Sequence, residues 1–279
     1  MLGQITDRFI RNRLAVFGFI IVVIVIVNAL FAPLIAPHNP TRQNYDALLQ
    51  PPSGNHLMGT DPLGRDIFSR VVFGARYALL IGVAVVAIEA GIGLLLGLIG
   101  GFYGGLVDAT IMRIVDAVLS IPVIILALAI AGALGGGLLN MIIAIGVAGW
   151  SRFARLVRGS VLSVKEQPYV EAARSVGAND PEILLRHILP NLVGPIIVYS
   201  SLYVPTAILW SAALSFLGLG AQPPTPEWGA IIADGRDYLS MAWWIATFPG
   251  SVLMFTVLGF NFLGDGLRDA LDPKAAKRV

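Results

Sequence analysis

The sequence predicts an all-α integral membrane protein that crosses the bilayer six times, with both termini in the cytoplasm. Three observations predict it. The 279 residues are 56% hydrophobic and only 13% charged, about half the charge of an ordinary soluble domain. The stretch LAVFGFIIVVIVIVNALFAPLIA, from Leu14 to Ala36, carries no charge and exceeds the ~20 residues needed to cross a bilayer core. Lysine and arginine are also shared unequally between alternate loops, as the positive-inside rule requires.

The first helix is expected at 14–36. Arg8, Arg11 and Arg13 precede it as in a signal peptide, but the apolar run exceeds the roughly 7–15 residues typical of one and further spans follow; it is expected to be retained. The remaining spans are expected at 77–101, 117–135, 138–156, 192–218 and 241–264, the third and fourth divided by the glycine-rich GALGGGLLN. All lack the period-2 alternation of barrel strands. Pro122, Pro195, Pro205 and Pro249 inside them are expected to kink or loosen their helices. With the N-terminus inside, the cytoplasmic segments hold Arg8, Arg11, Arg13, Arg113, Arg152, Arg155, Arg158, Lys165, Arg174, Arg186, Arg268, Lys274, Lys277 and Arg278. The outer ones hold Arg42, Arg65, Arg70, Arg76 and Arg236: 14 against 5, of 19 in all. The chain thus divides into 1–76 (tail, first helix and an outward loop), a core at 77–266 with a cytoplasmic element at 165–190, and a tail at 267–279.

Several chemistries are excluded. Zero cysteines rule out disulfides and thiolate sites, and a net charge of +2 gives no footprint for nucleic acid. His38, His56 and His187 are scattered without metal-ligand spacing, so no metal site and no catalytic residue is expected.

The most informative polar stretch is YVEAARSVGANDPEILLRHILPN, residues 169–191. Pro168 suits the first turn of a helix and Gly177 its left-handed cap. Tyr169, Ala172, Ala173 and Val176 share a face at helical spacing, with Glu171 and Arg174 elsewhere. Asp180 is expected to cap a second helix that opens at Pro181 and stops at Pro190, with Glu182 and Arg186 placed for an i,i+4 pair. The element reads either as a stiff loop on the membrane surface or as a docking knob for a cytoplasmic partner, and small apolar groups rimmed by charge favour the knob.

This stretch resembles the EAA loop of ABC importer permeases: Glu-Ala-Ala, three residues, Gly, then Leu-Pro, with His187 where the general pattern has Ile. GTDPLGRDIFSRVVFGARYAL (59–79), GGLVDATIMRIVDAVLSIP (104–122), GWSRFARLVRGSVLSVKEQPYVEAAR (149–174), LSFLGLGAQPPTPEWGAII (214–232) and FNFLGDGLRDALDP (260–273) extend the resemblance over nearly the whole chain. It is strongest to the C-type permease of the dipeptide/oligopeptide/nickel branch. The resemblance implies a type I importer permease fold, a homologous B-type permease as partner, two cytoplasmic ATPase subunits that carry ATP and Mg, and an external solute-binding protein. It also implies a bacterial or archaeal cytoplasmic membrane. The residues agree on one point independently: none of Lys165, Lys274 and Lys277 follows Gly or precedes Ser/Thr, so the chain has no phosphate-binding loop and ATP chemistry must come from elsewhere. Docking would then involve Tyr169, Glu171, Ala172, Ala173, Arg174, Val176, Gly177 and Asp180.

Outside, Arg65, Asp66 and Arg70 lie among Ile67, Val71 and Gly74 at helical spacing. They read either as a cap on the bundle or as a segment near the outer gate that meets the binding protein. Trp228, in QPPTPEWG, suits the lipid interface or the same contact. Arg113 and Asp116, with Asp108 a turn and a half before, read as a self-satisfied charge cluster or, less well, as part of the pathway. In the fifth span Ser211 stands where many relatives have Glu. Glu89 lies mid-span, where a carboxylate is costly and faces the bundle interior or a water-filled cavity; it is either protonated and hydrogen-bonded to a neighbouring helix or lines the pathway. A proton-coupled secondary transporter would need more intramembrane titratable groups than Glu89, and a membrane enzyme would need a polar cluster that is not seen.

Overall fold

The computed structural model describes residues 9–271; Arg8, Lys274, Lys277, Arg278 and most of the 267–279 tail lie outside them. Among the described residues the chain is helical, with one isolated bridge pair, Thr60 and Asp66, and no strand. Four helices are long and apolar enough to cross a membrane, and a sharply bent pair would make a fifth.

Helix α1, Arg13–Ile35, starts where the Asn12 side chain accepts from the backbone N–H groups of Leu14 and Ala15. Its buried residues, Ala15, Gly18, Val22, Val25, Ala29 and Ala32, alternate three and four apart, a coiled-coil seam. The seam meets the last helix at closest quarters: a Cβ on Gly18 would stand 2.6 Å from the Gly259 carbonyl oxygen. Small residues let helices approach where lipid gives no hydrophobic drive.

Helix α2, Ile67–Tyr103, has 37 residues and begins ten before the expected start at 77. At 1.5 Å per residue it is roughly 55 Å long, longer than the ~30 Å hydrocarbon core, so its polar first turns extend beyond the apolar span. The expected third span breaks in two, α3 at Gly105–Leu119 and α4 at Val123–Leu134, with 86° between them. Pro122 disfavours helical backbone at Ile121 and lacks an N–H, which is enough to break the span rather than loosen it. Gly135 and Gly137, both at positive φ, turn the chain into α5, Leu138–Lys165. This helix runs nine residues past its expected end at 156, because Arg158 pairs with Asp108 and Lys165 donates to the Gly101 carbonyl.

After α6, Pro168–Ser175, a turn at Asp180–Glu182 and a π-helical stretch Ile183–Ile188 lead without a stop into α7, Leu189–Phe216. The expected end at Pro190 is therefore wrong. The Leu189 N–H already bonds five residues back, to Leu184, and this wider winding absorbs the missing proline donor and its ring. A short α8, Trp228–Gly235, and α9, Trp244–Leu271, complete the fold.

The tightest packing joins α2 to α5. Glycines at i, i+4 and i+8 on α2 face α5: a Cβ on Gly93 would lie 2.3 Å from Phe153 Cβ, one on Gly97 2.7 Å from the Ala154 carbonyl oxygen, and one on Gly101 2.8 Å from Val161 Cβ. Three apolar clusters follow one another along this axis. Ile67, Val71, Trp228 and Trp244 occupy one end, Val85, Ala127 and Ile145 the middle, and Phe102, Val161, Val170 and Ile188 the other end.

Candidate functional site

Helix α6 lies across the end of the bundle where α2 and α5 terminate. Val170 and Ala173 face inward and pack with Phe102, Val157, Val161, Ile183, Ile188 and Leu192. The Arg174 guanidinium sits 5.6 Å from the centre of the Phe102 ring, a cation–π distance. Tyr169, Ala172 and Val176 face away, Val176 being 85% exposed. The expected four-residue face is thus split: Ala173 holds the element to its own bundle, and the other three stand free. Val170, which the spacing argument left out, is the inward anchor. Gly177 has φ +88 with nothing within 4 Å of a Cβ, so its conformation and not crowding requires glycine. The helix after it is capped by Asn179, whose side chain accepts from the Glu182 N–H at 2.9 Å. Asp180 is not the cap, because it already lies in the first turn. Glu182 and Arg186 do pair, at 2.6 Å. Together Tyr169, Ala172, Val176, Gly177, Ala178, Glu182 and His187 line an open groove, at whose floor the edge of Ala173 also shows. His187 faces that groove while Ile188 beside it is fully buried, so the apolar duty of the general pattern has moved one residue along.

At the opposite end, Arg65, Asp66, Arg70 and Trp228 are all buried. Arg65 pairs with Asp61 and with Asp234 at 3.1 Å, and Arg70 stands 3.5 Å from Asp234. Asp66 caps α2 by accepting from the Ser69 N–H. The Trp228 indole N–H donates to the Val71 carbonyl at 2.9 Å, and the ring lies against Gly74. A side chain 1% exposed reaches neither lipid nor a docked protein, so both expectations for Trp228 give way: it pins α8 to α2. The two arginines likewise tie the loop, α2 and α8 together from within. Glu227 caps α8 through the Ala230 N–H; burial pushes its carboxyl above the usual carboxylate range, against hydrogen bonds from Gly229, Ser215 and Ala230 that lower it.

Between the ends, Glu89 is 1% exposed. Gly149 of α5 makes room for it, since a Cβ there would fall inside the carboxylate. Among the described residues neither carboxylate oxygen has a hydrogen-bond partner, so the expected bond to a neighbouring helix is not formed. One turn along α5 from Gly149, Arg152 donates to the Tyr203 hydroxyl at 3.0 Å, and Tyr203 stacks on Tyr199. Ser211 is also buried, its hydroxyl donating to the Ile208 carbonyl of its own helix. The charges on α3 do not satisfy one another: Asp108 binds Arg158 through both oxygens and Asp116 binds Arg155. Their partners lie on α5, out of reach of a local spacing rule.

The chain's likenesses to known proteins agree with this architecture. Residues 93–277 match the family described as binding-protein-dependent transport system inner membrane component, and residues 1–52 match the N-terminal transmembrane domain of oligopeptide transport permease C. The chain is 44% identical over 279 residues to a di/tripeptide transport system permease protein of Pseudomonas aeruginosa, covering 98% of this chain and 92% of that one. It is 50% identical over 268 residues to a glutathione transport system permease protein of Escherichia coli, covering 96% and 88%. Its fold is similar to that of the MetNI methionine ABC transporter in inward-facing conformations, with a TM-score of 0.59 at 22% identity over 74% of this chain and 98% of that one. The chain therefore belongs to the inner membrane components of binding-protein-dependent transport systems, the ABC importer permeases, in which ATP hydrolysis lies on separate subunits.

Proposed function

We propose that this chain forms half of the pathway of an ATP-driven importer for dipeptides, oligopeptides or a related small solute, paired with a homologous B-type permease in a bacterial or archaeal cytoplasmic membrane. One of two ATPase subunits docks on α6 from the cytoplasm, the other on the partner permease, and a solute-binding protein delivers from the other side. The observation that carries this reading is the split face of α6. Its inner residues lock it to the ends of α2 and α5, and its outer residues, Tyr169, Ala172 and Val176, offer a partner a groove of small apolar groups. A partner's movement would pass through this rigid piece to α5 and α7, as alternating access between discrete states requires. Substrate identity rests on the relatives alone. The decisive experiment reconstitutes the chain with its co-encoded permease, ATPases and binding protein and measures dipeptide uptake; uptake driven by a proton gradient without ATP would overturn the reading.

Six spans with α6 inside follow if the broken pair α3–α4 and the arginine-bearing α5 each cross. The chain has no native cysteine, so single cysteines report sidedness cleanly. Ser53→Cys and Thr225→Cys are expected to react with an impermeant thiol reagent in intact cells, and Ser175→Cys only after the membrane is opened. Labelling of the Ser175 position in intact cells would contradict the orientation.

Glu89, sealed between α2 and α5 here, is proposed to become an acceptor for a substrate ammonium when those helices part during transport, because a carboxylate with no internal partner is expensive to keep in a bilayer. Glu89→Gln is expected to reduce uptake of cationic dipeptides at least tenfold more than neutral ones. Equal uptake of both by Glu89→Leu would remove this role.

A further inference from the structure

Two histidines that the sequence separates meet at the Trp228 end of the bundle. The rings of His38, just beyond α1, and His56, in the loop before α2, stand 4.9 Å apart between centres. Asp66, the first-turn cap of α2, completes a group in which one ring nitrogen from each histidine and one carboxylate oxygen lie within 4.8 Å of one another. A cavity of about 440 Å³ adjoins them.

The hydrogen bonds around these atoms leave donor positions available beside one another. His38 Nε2 stands 2.9 Å from the Asn55 carbonyl oxygen. A carbonyl only accepts, so the proton is on Nε2 and the Nδ1 lone pair is open. A metal-binding histidine typically holds its second nitrogen on a backbone carbonyl in this way. Asp66 Oδ2 accepts from the Ser69 N–H and the Ser69 hydroxyl, which leaves Oδ1 for the site. The Ser69 oxygen in turn accepts the His38 backbone N–H at 3.1 Å, tying the two ligands to one frame. His56 Nδ1 faces Asp66 Oδ1 at 2.9 Å, a separation that a shared proton or a shared cation would satisfy equally.

We propose that His38, His56 and Asp66 bind a borderline divalent cation of the zinc type, clamping the loop after α1 to the start of α2. Imidazole and carboxylate suit such an ion, and three protein ligands with a fourth position open to solvent make a recognised zinc geometry. Donor atoms around a tetrahedral zinc at ~2.0–2.1 Å stand about 3.3–3.4 Å apart. From separations of up to 4.8 Å the donors must close by up to about 1.4 Å, a swing open to the exposed His38 ring. The carboxylate of Asp66 offsets the one cationic group at the cavity rim, the exposed Arg42.

Zinc titration by calorimetry tests this on the full chain in nanodiscs, purified through a tag without histidine. One zinc per chain is expected. His38→Ala should weaken binding at least tenfold, while His187→Ala, at the other end of the bundle, leaves it unchanged. Zinc should also raise the thermal midpoint of the unaltered chain and not that of His38→Ala. If His38→Ala loses stability without zinc, His38→Gln serves in its place. Zinc binding by His38→Ala or His38→Gln as tight as by the unaltered chain, or no zinc bound at all, overturns the site and leaves the His56–Asp66 contact as a shared proton only.

Discussion

Replacing Ala172 with Trp is expected to abolish ATP-driven uptake while the permease still inserts, folds and pairs. Ala172 is exposed on α6 and belongs to none of the apolar clusters, so an indole there disturbs nothing within the chain and fills the groove a partner would enter. A loss of more than tenfold needs only about 1.4 kcal/mol of weakened docking. Gly177→Val should act through the backbone instead. A β-branched residue at φ +88 is an outlier whose strain is on the order of 1–3 kcal/mol, and it would tilt the element without any clash. Substrate-stimulated ATP hydrolysis is the readout for both. Ala173→Trp is a poorer probe, because Ala173 is buried among Phe102, Val161 and Ile188 and bulk there would dislodge the element itself.

The second large effect is expected at Gly97. A Cβ would lie 2.7 Å from the Ala154 carbonyl oxygen and the same distance from Val157 Cβ, and backbone cannot rotate out of the way. Gly97→Val must therefore separate α2 from α5 along their main seam. Overpacking of this kind costs about 1–3 kcal/mol or more, and here it strikes the interface that carries Glu89 and anchors α6. Much reduced recovery of folded protein is expected, measured by monodispersity in detergent and thermal midpoint. Gly91→Val, on the open side of the same helix with nothing within 4 Å, should be tolerated. Equal stability of the two variants would mean that the α2–α5 seam is not the close contact described.

How far the sequence alone reaches depends on whether a feature is local. Uncharged runs place α1, α7 and the start of α9 within three residues, because burial in lipid needs nothing but length and hydropathy; the end of α9 runs seven residues further, through Asp265, Arg268 and Asp269. The start of α2 is hidden, since Arg70 is polar in sequence and buried in the fold, offset by Asp61 of the preceding loop and by Asp234 from a distant segment. The same holds for the second half of α5, whose Arg155 and Arg158 look like a loop until Asp116 and Asp108 of α3 face them. Nothing in QPPTPEWG distinguishes a buried tryptophan from an interfacial one; the distinction is made by Gly74, over a hundred residues earlier. The seam on α1 and the i, i+4 glycines on α2 were readable as packing faces and signal them better than hydropathy does. The 168–188 element was legible where its Gly177 turn and Glu182–Arg186 pair are local, whereas its second cap falls on Asn179 and not on the expected Asp180, and which of its alanines faces inward is decided by α2 and α5.

The outward face of α6 is expected to meet an ATPase subunit. Val176→Cys carrying a benzophenone photocrosslinker tests it most directly in the assembled transporter. A crosslink is expected from position 176 to an ATPase subunit, and none from the same probe at Leu106, exposed at the start of α3. Efficient labelling at 176 without any ATPase adduct, in a complex that still takes up substrate, would contradict it.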